Sequence, residues 1–211
     1  MKDCCDLADI EKKVRKMMDS RRFEHTVGVR YTAAAMAMAF GEDINRAQTA
    51  ALLHDAAKQL DDDEKLKRCR KYGISVTPFE EAHPFLLHAR LGAAVAERKF
   101  GITDPEILSA IRWHTTGKPG MSVLEMIIFI ADYIEPGRNK TADLPRCRRE
   151  AFRDLEECCY MILENTLNYL DTTADAIDET TREAFEYYRE RHDSRFGRTA
   201  PKPGAEEEET L

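Results

Sequence analysis

What most limits the fold of this chain is its punctuation. Helix-length apolar segments follow one another from Leu7 to His192, repeatedly bounded by capping residues and glycines, and no run of alternating β-branched and aromatic residues interrupts them. An all-α helical bundle is therefore expected. Predicted helices cover residues 7–19 and 22–40, the second stopping at Gly41, and a third that Asp43 caps and that reaches Leu60. Asp61, Asp62, Asp63 and Glu64 suit the start of a fourth, which Gly73 ends. A loop through Pro78 precedes a helix that Pro84 opens and Gly101 closes. Thr103 with Glu106, and Ser122 with Glu125, have capping-box spacing. Residues 123–134 are apolar on nearly every face and predict a central buried helix. Beyond Pro136 and Gly137 come a loop, a long helix over 147–170, and a last one capped by Asp175 or Asp178 and ending near His192.

A chain of 211 residues is long enough for one well-cored domain, assigned to residues 1–193. Residues 194–211, with Pro201, Pro203, Gly204 and the glutamates from Glu206, cannot bury a core and are expected to be a disordered acidic tail. The net charge of −7 argues against unaided binding of nucleic acid, which wants a basic face, but leaves room for a small anionic substrate held by metal ions. No stretch approaches the roughly 18 apolar residues of a membrane span, and the charged start is no secretory signal, so a cytoplasmic protein without a membrane partner is expected. Cys4, Cys5, Cys69, Cys147, Cys158 and Cys159 form no C-x-x-C pair and read as reduced thiols rather than zinc ligands. Oligomeric state stays open, a homodimer included.

Against this background His54-Asp55 stands out, because it sits inside Ala-Ala-Leu-Leu-His-Asp-Ala-Ala-Lys and is predicted to lie in the middle of an apolar helix. A buried carboxylate costs several kcal/mol unless paired or bound to a cation. Taken alone, the dipeptide is more simply a structural His–Asp pair. The weighting changes because His25, His88, His114 and Asp132 occupy comparable surroundings on other predicted helices, and Asp132 has few sequence neighbours able to neutralise it. His83 competes with His88; the latter is preferred because it falls inside the helix opened by Pro84, with Gly92 four residues on to allow close packing. Trp113 and Tyr133 flank presumed ligands but read as packing.

The order His, His-Asp, His, His, Asp resembles the pattern of HD-domain phosphohydrolases. The phrases Arg22-Phe23-Glu24-His25, Leu52-Leu53-His54-Asp55-Ala56-Ala57-Lys58, His114-Thr115-Thr116-Gly117 and Ala131-Asp132-Tyr133-Ile134-Glu135-Pro136-Gly137-Arg138 closely resemble the YqeK family, bacterial HD-domain hydrolases that cleave diadenosine tetraphosphate symmetrically into two ADP. The resemblance covers residues 19–181 and thins toward the C-terminus, where Thr181 and Ala184 still fit. It implies iron or a similar ion held by His25, His54, Asp55, His88, His114 and Asp132. It also implies nucleotide contacts from Arg22, His25, Thr115 and Arg138, with Asp175, Ala176, Ile177, Asp178, Glu179 and Thr180 near the base or sugar.

Imidazole and carboxylate without thiolate suit iron, manganese, nickel or zinc equally. Six such groups exceed one tetrahedral ion, so a dinuclear centre is expected, bridged by a carboxylate such as Asp55. Such a centre would activate water for attack at the middle of the substrate's phosphate chain. Asp55 and Lys58 are the catalytic candidates, Lys58 neutralising a phosphate or leaving oxygen; a solvated surface charge is the plainer reading of Lys58. Two alternatives remain at this stage: an HD hydrolase of another nucleotide (a guanosine alarmone, a deoxynucleoside triphosphate or a cyclic dinucleotide), and a non-catalytic nucleotide-sensing HD module.

Overall fold

The computed structural model describes residues 6–139, 143–173 and 177–197. Among them every regular element is helical: α1 (Leu7–Arg15), α2 (Ser20–Phe40), α3 (Ile44–Leu53), α4 (Asp62–Tyr72), α5 (Pro78–Ala82), a 3₁₀ turn (Pro84–Leu86), α6 (Leu87–Phe100), α7 (Pro105–Trp113), α8 (Val123–Ile134), α9 (Leu144–Glu150), α10 (Leu155–Thr173) and α11 (Glu179–Phe196). The fold is an all-α bundle. Among the described residues no helix is long and apolar enough to cross a membrane.

Short polar side chains start these helices by accepting the first free backbone N–H groups: Asp19 takes Arg22 N–H at 2.8 Å, Asp43 takes Arg46 N–H at 2.9 Å, and Asp61 takes Glu64 N–H at 2.8 Å. Gly41, Gly73 and Gly101 close α2, α4 and α6. Helix α8 is the axis of the bundle, with residues 124–131 buried in sequence and α2, α3, α7 and α10 packed round it. Its capping box is the predicted one, Ser122 with Glu125.

Several boundaries differ from expectation. Helix α1 stops at Arg15, because Asp19 is needed as the cap of α2. Asp104, not Thr103, caps α7, accepting from Glu106 N–H at 3.0 Å. A short helix, α5, replaces the loop around Pro78 and carries its own capping box of Thr77 and Glu80. The long helix predicted from Cys147 is two: the chain turns after α9, and Asp154 restarts it by accepting from Glu157 N–H at 3.1 Å. Asp178 is the cap of α11, which runs past His192 to Phe196. Asp175, Ala176 and the residues from 198 onward lie outside the described residues. Cys69, Cys147, Cys158 and Cys159 are free and buried, and burial pushes the Cys147 thiol up to about 11, as expected of inert thiols.

Glu80 ties α5 to α6, since Arg90 Nη1 donates to both of its oxygens at 2.6 and 2.9 Å while Thr77 N–H donates to Oε2 at 2.9 Å. Burial alone would raise the Glu80 carboxyl, but the Thr77 N–H and Arg90 together hold it below its ordinary value. Its contribution to stability is thus present above the unfolded-state pKa and lost as pH falls through the folded one. Glu80→Ala should cost about 1.5–3 kcal/mol at pH 7, and urea unfolding at pH 3 should show the gap between variant and parent shrinking.

Candidate metal centre

Helix α3 ends at Leu53, and the next residue, His54, competes with the backbone for one of its carbonyls. Its Nδ1–H donates to Ala51 O at 2.6 Å, occupying the carbonyl that Asp55 N–H would take if the helix continued. The chain tightens at once into i→i+3 turns, Ala56 N–H to Leu53 O and Lys58 N–H to Asp55 O. His54-Asp55 therefore stands at a helix end, not in a helix middle as expected. The same device ends α7, where His114 Nδ1–H donates to Ile111 O at 2.7 Å. At the start of α6, His88 Nδ1–H donates to Phe85 O at 2.6 Å.

A carbonyl can only accept, so these three bonds fix a proton on Nδ1, and a ring that is neutral has its free electron pair on Nε2. All three Nε2 atoms face Asp55: His54 lies 3.3 Å from Oδ2, while His88 and His114 lie 3.5 and 3.7 Å from Oδ1. His25, from α2, completes the group with Nε2 3.8 Å from Asp55 Oδ2 and 3.0 Å from Asp132 Oδ1. Asp132 Oδ1 is also 4.0 Å from His54 Nε2. The six predicted residues are thus brought together, in two sets that share Asp55.

The centre lacks hydrogen atoms where its geometry would need them. His25 Nε2 and His54 Nε2 are buried without a hydrogen-bond partner. The Nε2 atoms of His88 and His114 lie 3.2 Å apart with only electron pairs to offer each other when both rings are neutral. Orphaned acceptors converging on two carboxylates fit a cation. Burial would raise both aspartates, but His54 and His114 hold Asp55 far below the carboxylate range, and His25, His54 and Arg138 do the same for Asp132. Burial, Lys58 and His114 drive His88 well below its ordinary value, keeping it neutral. Burial alone would lower His54, but Asp55, Asp132 and the Ala51 carbonyl together raise it.

Cationic side chains ring the cluster. Arg22 Nη1 bonds Asp55 Oδ2 at 2.8 Å. Arg138 curls back to Asp132, Nη2 to Oδ1 at 2.7 Å and Nε to the backbone oxygen at 3.0 Å, so the neutralising partner of Asp132 lies six residues downstream across the Pro136–Gly137 turn. Lys58 is no solvated surface charge: its Nζ lies 3.2 Å from His88 Nε2, and burial lowers its pKa. Thr115 Oγ1 sits 3.2 Å from both His88 and His114 Nε2.

Two cavities adjoin the cluster. One of about 800 Å³ is lined by Arg21, Arg22, His25, Lys58 and Arg138 among others, and one of about 250 Å³ by Thr115, Thr116, Asp178 and Thr180 among others. Ile177 and Glu179 do not line the second. Glu135, buried against His25, was not singled out by the sequence; its helix-ending place before Pro136 carried no sign of burial.

His83 takes no part. Its Nδ1–H donates to Phe79 O at 2.9 Å and its ring packs on Phe79, as the last residue of the α5 turn. His88→Ala should accordingly lose metal and activity, whereas His83→Ala keeps both; metal analysis of the two variants checks this. Gly92 does serve close packing, since a Cβ there would stand 3.1 Å from His54 O.

A helical bundle that draws four histidines and two aspartates together in this way belongs to the HD class, and residues 22–137 match the HD domain. The chain is 38% identical over 157 residues to the symmetrical bis(5'-nucleosyl)-tetraphosphatase of Bacillus subtilis, covering 74% of this chain and 83% of that one. It is 31% identical over 185 residues to the protein of the same name from Staphylococcus aureus, covering 85% and 94%. A crystal structure from Clostridium acetobutylicum, described as a "predicted HD superfamily hydrolase involved in NAD metabolism", superimposes with a TM-score of 0.84 at 34% identity, covering 87% of this chain and 97% of that one. The chain belongs to the HD-domain family and, within it, to the family of the symmetrical bis(5'-nucleosyl)-tetraphosphatases.

Proposed function

We propose that this chain hydrolyses diadenosine tetraphosphate, and related dinucleoside polyphosphates, at the central phosphoanhydride to give two ADP. The observation that carries the reading is the arrangement round Asp55: imidazole Nε2 atoms face both of its oxygens, those of His25 and His54 at Oδ2 without a hydrogen-bond partner, and one cavity lies beside His25 and another beside Thr115. A substrate with a nucleoside at each end and the scissile bond in the middle suits a site open at two ends.

His25, His54 and Asp132 with Asp55 Oδ2 would hold one divalent ion, and His88 and His114 with Asp55 Oδ1 the other. Iron is the proposed occupant, although manganese, nickel and zinc accept the same donors. Such ions, when bound, lower the pKa of a coordinated water toward neutrality and neutralise phosphate oxygens. The protein's share is positioning and charge. Asp55 and Asp132, held ionised, keep the donor set anionic. Arg22 and Arg138 stand at the larger cavity, where each can exchange its carboxylate partner for a phosphate oxygen. Lys58, whose Nζ lies 3.2 Å from His88 Nε2, would neutralise the bridging oxygen as its bond to phosphorus breaks, and the smaller cavity lined by Thr115, Asp178 and Thr180 would take one nucleoside. Water adds to one β-phosphorus, and the other ADP leaves with the bridging oxygen.

The test is to incubate the protein, loaded with iron or manganese, with diadenosine tetraphosphate and resolve the products by ion exchange. ADP alone is expected. ATP with AMP would mean asymmetric attack, and no turnover by metal-loaded protein would reject this substrate.

A further inference from the structure

Three of the four clustered histidines are oriented locally, each by a carbonyl three residues earlier in its own chain segment. His25 is the exception. Its Nδ1 bonds Glu135 Oε1 at 3.1 Å, a partner 110 residues away at the far end of α8. Glu135 is 4% exposed, and its second oxygen accepts Gly137 N–H at 2.6 Å. Two glycines make the room it occupies. A Cβ on Gly28, one turn after His25 on α2, would stand 2.5 Å from Glu135 Oε2, and one on Gly137 would stand 3.0 Å from both oxygens. At Gly28 no side chain fits while the carboxylate stays in place, and at Gly137 one fits only if the carboxylate gives by a few tenths of an ångström.

We infer that Glu135 is the positioning residue for His25: lodged in the cradle of Gly28 and Gly137, it holds the His25 proton on Nδ1 and aims Nε2 at Asp55 and Asp132. The inference rests on the proposed metal centre and goes beyond it, for it makes one half of that centre depend on a tertiary contact. A carboxylate behind a metal-binding imidazole fixes its tautomer and raises its basicity. The ion bound by His25, His54 and Asp132 then loses affinity when Glu135 is altered. The set of Asp55, His88 and His114, whose imidazoles are oriented locally, keeps its ion.

Three variants test this: Glu135→Ala removes the acceptor, Glu135→Gln preserves volume and one acceptor, and Gly28→Ala displaces the carboxylate without touching it. Metal per chain is measured after titration with a chelator, alongside the ¹⁵N resonances of His25 in metal-free protein. The parent should hold two ions. Glu135→Ala and Gly28→Ala should retain one and release the other at about 10–100-fold lower chelator strength, with Glu135→Gln between. His25 should be the Nδ1–H tautomer in the parent and a mixture in Glu135→Ala. A parent with two ions and variants holding both equally tightly, with an unchanged tautomer, would overturn the inference alone. A parent that binds no metal would overturn the metal centre with it.

Discussion

Asp55→Asn is expected to abolish hydrolysis and to yield protein without bound metal. Asparagine keeps the shape of the side chain but removes the charge that both sets of imidazoles face: His25 and His54 at Oδ2, His88 and His114 at Oδ1. Each set loses its shared ligand in a single substitution. The loss of rate should therefore exceed the roughly 10–100-fold that changes behind the ligands produce, and activity should fall to background. Plasma emission analysis of the purified variant checks the metal content, and the product assay checks the rate. Metal retained at the parental level would show that Asp55 bridges nothing.

Removing metal from the unaltered protein should have the second largest effect, this time on stability. An ion that binds only the folded state stabilises it by about 4 kcal/mol at a thousandfold excess over Kd. For a chain of this size that corresponds to a fall of about 8–16 °C in Tm on chelation. The gap should depend on pH with a definite sign. Ions compete with protons for the imidazoles, and Asp55 raises His54 above its ordinary value against the effect of burial. Protonated His54 favours the metal-free fold below its unfolded-state pKa, and that contribution disappears as pH rises through the folded one, while metal affinity grows. Melting with and without chelator should give curves that converge at acid pH and separate toward pH 8. Curves that coincide at every pH would mean that no ion stabilises the fold.

Much of the bundle was legible because its caps are local chemistry. Asp43 and Asp61 act on N–H groups three residues ahead, and the Ser122–Glu125 box is visible in four letters. Helix 123–134 was legible for a different reason, an apolar surface on every side. His54, Asp55 and Asp132 stood out because histidine and aspartate are costly among Leu, Ala and Ile, and the resemblance to the HD pattern implied the rest of the set.

What the sequence hid are contacts in which a side chain competes with the backbone or reaches across the fold. Nothing in Ala-Ala-Leu-Leu-His-Asp breaks a helix by propensity; α3 ends where the His54 ring competes for the Ala51 carbonyl. Asp132 looked unpaired since Arg138 reaches it round a turn. Glu135 looked like a helix terminus, and its burial depends on two glycines on separate segments, Gly28 and Gly137.

The most direct measurement is the anomalous scattering of a crystal of metal-loaded protein, collected at the absorption edge of the ion supplied. The account predicts two peaks about 3.5–4 Å apart, one among His25, His54, Asp132 and Asp55 Oδ2, the other among His88, His114 and Asp55 Oδ1. A single peak, or peaks away from Asp55, would contradict it.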